Sequence, residues 1–519
     1  MEAVEVIARL SSPEHLGAVK AVIAAAGCAL LIAERTARGQ ALSTRARQWI
    51  GAALAIAAVA CYFQFHQLEY KSYYHRWEFF HYYLGAKYSQ ELGYERLYHC
   101  AALADAQTGN LRGVRYRRMR DLRSDVLVPA RQALLDPGYC TDHFTPSRWQ
   151  AFRSDVAWFR GVSGGGTWWN EMQSDHGYNP SPVWTLAGHA LASLSPPGDG
   201  FFKALSAIDV TLTALMFLAL GWAFGWRVMV IAAVYWGTQE PSTFYWTGGS
   251  LLRQDWLFLS VLAVALLRKG WGLLAGIALA WAGLLRVFPL LLWAGPLVVV
   301  GSHLWRRKGL LRSHRRLLAG GLLGFALLGG ASLHFAGVDG YRQFLHHLRV
   351  HDASPITNHM SLRTVLSATP QGRLQYTAEP QRLDPMARWQ QARRVRFADM
   401  RWAFLAINAL VAGAVAFACW KLRTLWIAVP LGLALIVTAV DPSCYYFSLW
   451  ILAAVLTRAN RTLELPVIGV ACASQLVVWQ VGAIDDKYAS LAALYVAFTL
   501  ALVWFFLRDP RVSRGTKRA

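Results

Sequence analysis

Residues His75–Tyr98 read HRWEFFHYYLGAKYSQELGYERLY. They directly follow an apolar run near 49–67 that is long enough to cross a bilayer. A carboxylate, Glu78, is set here among tyrosines and histidines. Rings that are apolar on one side and polar at the tip suit the membrane boundary, so the stretch reads as a helix starting at the surface from which the chain has just emerged. The rest of the chain has to show whether further spans follow.

Composition says that they do. Of 519 residues 55% are hydrophobic and only 16% charged, with 23 tryptophans, and the mean hydropathy is positive. A soluble chain of this length carries more charge and fewer unbroken apolar runs. The net charge of +22 does not point to nucleic acid. Lys and Arg gather in short clusters between apolar runs, where the positive-inside rule puts them, and no nucleic-acid recognition motif accompanies them. The first apolar segment, AVIAAAGCALLIA, leads into ERTARGQALSTRAR with no small-residue cleavage site, so no cleaved signal peptide is expected.

Apolar runs near 49–67, 202–223, 228–246, 254–268, 270–285, 288–305, 317–336, 402–420, 424–440, 444–457, 464–482 and 488–507 predict about twelve spans, and a weaker run at 18–34 a thirteenth. With the basic segment 35–48 in the cytoplasm, alternation also places WRVM, LRKGW, WRRKGLLRSHRR, KLRTL, RANR and the tail RDPRVSRGTKR there. Residues 68–201 and 337–401 then form two long outer loops. One cluster, RWQQARRVRF with Arg388, Arg393, Arg394 and Arg396, falls on the outer side and is read as a basic surface helix facing lipid phosphates. The expected fold is an all-α, polytopic helical bundle forming a single integral membrane domain over 1–519. The first loop is expected to fold as helices packed on the membrane surface.

Of seven cysteines, Cys28, Cys61, Cys419, Cys444 and Cys472 lie in or beside apolar runs, where a thiol acts as a small hydrophobe. Cys100 and Cys140 share the first outer loop, and a pair isolated there is expected to form a disulfide. No spacing resembles a metal site, and none is expected.

Polar residues that could carry chemistry fall at outer helix ends. Each group also has a plain structural reading. Glu78 is a candidate base or a solvated acid. DHGYNPSPVW offers Asp175, His176 and Asn179, or a turn into the next helix. EPSTFYWTGGSLLRQDW carries Arg253, Gln254 and Asp255 near membrane depth, where charge is costly and calls for a partner or a function; an Arg253–Asp255 pair is the plain alternative. Arg286 in LLRVFPLLL could grip a phosphate at headgroup depth or snorkel. SPITNHMSLRTVL offers Asn358, His359, Ser361 and Arg363 for a sugar or phosphate, or a capped helix start. VDPSCYYFSLW reads mainly as an interfacial aromatic anchor.

Taken in order, these elements resemble the multi-pass GT-C glycosyltransferases, and among them the bacterial polyprenyl-phosphate-dependent mannosyl- and arabinofuranosyltransferases of glycosyltransferase family 87. The resemblance rests on Glu78, Phe79, Tyr82, Tyr83, Gly85, Ala86, Gly93, Leu97 and Tyr98. It continues through YNPSPVW, RQDW, RVFP, NHMSL and DPSCYYFSLW. The family's acidic residue is usually aspartate and is Glu78 here, so Asp175 stands as the reserve base.

The resemblance implies a GT-C-like fold in a bacterial inner membrane, with the active site on the periplasmic or extracellular face. It implies inverting transfer of a mannose- or arabinose-like sugar from a polyprenyl phosphate to a hydroxyl on a glycan, lipid or protein. Glu78 would be the base, while Arg286, Arg253 and Arg363 would hold the donor phosphate. Tyr82, Tyr83, His176, Asn179, Gln254, Asp255, Asn358, His359 and Ser361 would contact sugar or acceptor. Partners would be membrane lipid, the lipid-linked sugar and the acceptor, with no cofactor and a monomeric chain. A lipid or glycolipid transporter and a non-catalytic envelope assembly protein are the competing expectations.

Overall fold

The computed structural model describes residues 13–36, 42–66 and 73–508. The middle of the 35–48 segment, the last residue of the 49–67 run and the basic tail lie outside the described residues. The chain is mostly helical. Among the described residues seven helices are long and apolar enough to cross a membrane: His15–Ala33, Asp199–Phe224, Phe288–Trp305, Arg312–Asp352, Ala387–Lys421, Arg461–Gln480 and Ile484–Arg508. Three further apolar helices, Gly272–Leu285, Leu425–Ala439 and Cys444–Leu456, are shorter.

This differs from the dozen spans expected, because several apolar runs are interrupted before they reach spanning length. Trp226–Thr238 and Asp255–Arg268 hold 13 and 14 residues, which rise about 20 Å against a hydrocarbon core of about 30 Å. The 424–440 run breaks in two around Pro430 and Gly432. Thr44–Tyr62, capped by the Ser43 side chain, spends its first turn on Arg45 and Arg47. Apart from Thr44–Tyr62, which buries only five of its residues, these helices lie largely in the interior, and one continuous hydrophobic core takes in residues from them, from the long helices and from the first outer loop.

Two helices outrun their apolar segments. Arg312–Asp352 has 41 residues and bends at Gly337, whose φ of 67° is open to glycine. It therefore carries the chain well into what was expected to be the second outer loop. Ala387–Lys421 has 35 residues, and its first turns are the basic cluster. Three of those arginines have protein partners. Arg393 lies 3.5 Å from Asp485, Arg388 lies 3.8 Å from Glu379, and Arg394 donates to Gln390. The other basic turns touch each other instead: Lys269 sits over Trp222, Arg268 over Trp426, and Arg306 donates to the Trp420 carbonyl.

The first outer loop is a folded body, and it is not purely helical. Strands β1 (Arg118–Asp121) and β2 (Val126–Pro129) form an antiparallel hairpin, pairing Arg118 with Pro129 and Asp121 with Val126. Four-residue strands are too short to leave a readable alternation. Cys100 and Cys140 form the expected disulfide across 40 residues, both ends buried, while the other five cysteines are free. Reducing it should cost about 2–5 kcal/mol. A melting temperature unchanged by reductant and by paired Cys100→Ala and Cys140→Ala would show that the loop does not depend on the bond.

The opening stretch organises this body. Its helix, Arg76–Lys87, is capped by His75, whose Nδ1 accepts from the Glu78 N–H. Gly85 leaves room for the Tyr178 ring, which would lie 2.3 Å from any added Cβ. The Tyr98 hydroxyl accepts from the Gly177 N–H and meets His81 Nε2 at 2.6 Å. Tyr94 donates to the Pro180 carbonyl. These contacts fasten segment 172–180 along the helix. Ser181 and Pro182 then start the next helix, as a capping hydroxyl and a proline at the first position do.

Candidate functional site

Residues i and i+4 of a helix share a face, so Glu78 and Tyr82 point the same way from Arg76–Lys87. They face a cavity of about 640 Å³ between the first outer loop and the helical bundle. Its wall also includes Asp175, His176, Asn179, Arg253, Asn358 and Tyr445. Side chains from five parts of the chain thus meet at one hollow.

Arg253 is the hub. Its Nε lies 2.8 Å from Glu78 Oε2, with side chains only 3% and 14% exposed, and its Nη1 donates to the Tyr82 hydroxyl. The guanidinium also lies 4.4 Å from the Tyr82 ring centre and 5.2 Å from that of Tyr445. It therefore pairs with Glu78 and not, as the plain reading had it, with Asp255, whose Oδ1 accepts the N–H of Trp256. The backbone is fixed from the bundle: Asp209 accepts the N–H of Arg253 at 2.8 Å and of Gln254 at 3.1 Å. Nearby, Arg286 is buried, its guanidinium 5.8 Å from the Tyr82 ring centre. Among the described residues its Nε and Nη2 have no hydrogen-bond partner. Buried guanidinium N–H groups left unmatched are costly unless something accepts from them.

The two candidate bases differ. Asp175 Oδ2 accepts from Trp77 Nε1 at 2.6 Å and Oδ1 from the His176 N–H at 2.9 Å. Burial works against its charge, but the imidazoles of His81 and His176 and these two donors hold its pKa below the ordinary aspartate value. Glu78 has no such donors, and Arg253 is its carboxylate's one partner among the described residues. Burial pushes its pKa above the ordinary glutamate value, Asp175 adds to this, and Arg253 and Arg286 oppose it. Glu78 is thus the more basic carboxylate.

Other candidates lie elsewhere. Tyr83 points away from the cavity, donating to the Ser195 carbonyl and accepting from Lys87, since adjacent helical residues diverge by about 100°. Gln254 reaches Thr247. His359 and Arg363 line a separate small hollow together with Asp441. There Asp441 takes His359 Nδ1 at 3.1 Å and the hydroxyls of Ser361 and Thr364, which together hold its pKa down to about 2 despite burial. Ser361 also caps the helix that follows. The NHMSL and DPSCYY elements are joined by a bridge between His359 and Ser443. DPSCYY is therefore more than an aromatic anchor: its aspartate ties down the loop and its Tyr445 faces Arg253.

Sequence reading missed Asp209, Trp77 and Tyr445 as parts of the site. A carboxylate inside the apolar stretch SAIDVTLT was the available signal for Asp209; nothing local distinguished the other two. Compared with protein-family models, curated proteins and solved structures, the chain matches none.

Proposed function

We propose that this chain is a membrane glycosyltransferase. It moves a mannose- or arabinose-like sugar from a polyprenyl phosphate to a hydroxyl acceptor on the non-cytoplasmic face of a bacterial inner membrane, with inversion. The observation that carries the reading is a basic carboxylate, Glu78, on the wall of a roomy cavity beside two buried guanidiniums, both with N–H groups that lack a hydrogen-bond partner among the described residues.

The chemistry asks for those parts. An acceptor hydroxyl must lose its proton as its oxygen attacks the anomeric carbon, and a carboxylate within hydrogen-bond reach takes it. The leaving group is a lipid phosphate that is already anionic, so it needs opposite charge and N–H donors and no proton. Arg286 supplies free donors, and Arg253 supplies charge while orienting Glu78. Both guanidiniums can bring positive charge and N–H donors to the phosphate, so the step is proposed to need no cofactor. Tyr82, Tyr445 and Trp77 give the sugar aromatic walls, with Asn179 and Asn358 as polar contacts. Arg363 and His359, turned to the smaller hollow, and Ser361, bonded to Asp441, support the loop that forms one wall.

Purified protein given polyprenyl-phosphate-linked mannose or arabinose should consume the lipid-linked sugar. Movement of the lipid across vesicles with no sugar consumed would replace this reading by transport. The pH dependence has a definite sign. A base works only when deprotonated, and burial raises the pKa of Glu78. As pH falls, kcat/KM should therefore decline from a point above the ordinary glutamate range, tenfold per pH unit. An acidic limb at or below that range would remove Glu78 from the role.

A further inference from the structure

Asp125, His176 and His351 come from three separate parts of the chain and meet beside the cavity. Asp125 ends the turn between β1 and β2, His176 lies in the segment fastened by Tyr98, and His351 is in the last turn of Arg312–Asp352. One ligating atom from each lies within 4.8 Å of the others.

The local structure is specific. Asp125 holds a left-handed backbone, φ 57°, a conformation that non-glycine residues keep only when their surroundings impose it. Its N–H donates to the Asp121 carbonyl and its own carbonyl accepts from Arg120 Nη1. Its side chain is 4% exposed, with Oδ1 2.9 Å from His176 Nδ1 and 3.5 Å from Arg120 Nε. Among the described residues Oδ2, by contrast, is buried without a well-formed hydrogen bond, with Ser354 close to the carboxylate, and His351 Nδ1 is buried without one too. The rings of His176 and His351 are 4.8 Å apart. A lone His–Asp contact would explain His176 but would leave a carboxylate oxygen and an imidazole nitrogen of the same cluster buried and unmatched. A cation between them satisfies both at once.

We propose that Asp125, His176 and His351 bind a divalent transition-metal cation, with zinc the best match to two imidazoles and one carboxylate. Ligand atoms around zinc, about 2.0–2.2 Å from the metal, lie about 3.4 Å apart, so modest side-chain rotations close the cluster. Three protein ligands leave one position open. His176 and His351 both line the large cavity, so that position faces it and suits a water or a ligand oxygen. His176 then acts as a metal ligand, where the sequence suggested a sugar contact. The inference does not depend on the transferase reading.

The test uses full-length protein in detergent, carrying no polyhistidine tag, stripped with chelator and reloaded with zinc alone. Elemental analysis should find one tightly held equivalent. Asp125→Asn and His351→Gln should each weaken its binding at least tenfold, while His346→Gln, an exposed histidine outside the cluster, should leave it unchanged. Cobalt(II) loaded in place of zinc should give visible absorption bands in the wild type that His351→Gln abolishes. Gel-filtration profiles of the metal-free variants matching the wild type show that the loss is local. The proposal is overturned if the wild type holds no stoichiometric zinc, or if its equivalent and the cobalt bands survive both substitutions.

Discussion

Glu78→Gln is expected to reduce sugar transfer about 1,000-fold, the middle of the range for losing a general base. The amide keeps the volume of the side chain and can still face the Arg253 guanidinium, so the wall of the cavity should keep its shape. What disappears is the ability to take the acceptor's proton. Because Arg253 is relieved of its anionic partner, donor affinity should hold or improve, so the loss should fall on kcat rather than on the donor KM. Asp175→Asn provides the contrast. Both oxygens of Asp175 already accept hydrogen bonds, which marks it as a positioning residue, and its replacement should cost no more than about a tenth of that effect. Rates of lipid-linked sugar consumption under single-turnover conditions measure both. Full turnover in Glu78→Gln with a dead Asp175→Asn would exchange the two roles.

Arg253→Met should be damaging in two separable ways. It strands Glu78, 14% exposed, without a cation, and removing one partner of a buried pair costs about 3–5 kcal/mol. It also removes positive charge from the phosphate side of the cavity, so transfer should fall at least 100-fold, in keeping with the loss of a preorganised electrostatic contact. The double variant Glu78→Gln with Arg253→Met distinguishes them. Thermal unfolding in detergent should show most of the lost stability returning, since no charge is left unpaired, while activity stays absent. If the double variant is as unstable as Arg253→Met alone, the contacts to Tyr82 and Tyr445 matter more than the ion pair.

Much of the architecture was legible because membrane insertion writes itself into composition. Long apolar runs bounded by basic turns became long helices, as at Asp199–Phe224 and Ile484–Arg508. A local signal held where the chemistry is local: Ser361 caps the helix it precedes, as the plain reading of SPITNHMSLRTVL had it. Apolar runs did not become long helices where a run is interrupted, as at Pro430 and Gly432, or where a short helix such as Asp255–Arg268 is enclosed by others. An apolar residue facing protein and one facing lipid look alike in a sequence. The β-hairpin was invisible because four residues per strand carry too little pattern.

By itself the sequence determined that the chain is helical and rich in apolar spans, that Cys100 and Cys140 are set apart from the other cysteines, and that Glu78, Asp175 and Arg253 stand near helix ends. These follow from periodicity, hydropathy and spacing, which act over a few turns of chain. Tertiary structure alone decided which of these groups meet. It paired Arg253 with Glu78 across 175 positions of sequence, turned Tyr82 toward the cavity and Tyr83 away, and occupied both oxygens of Asp175 while leaving Glu78 the freer base. It also gathered Asp125, His176 and His351 from three distant segments. Their proximity comes from the packing of the first outer loop on the bundle, and no pattern of neighbouring residues encodes a distance between segments so far apart.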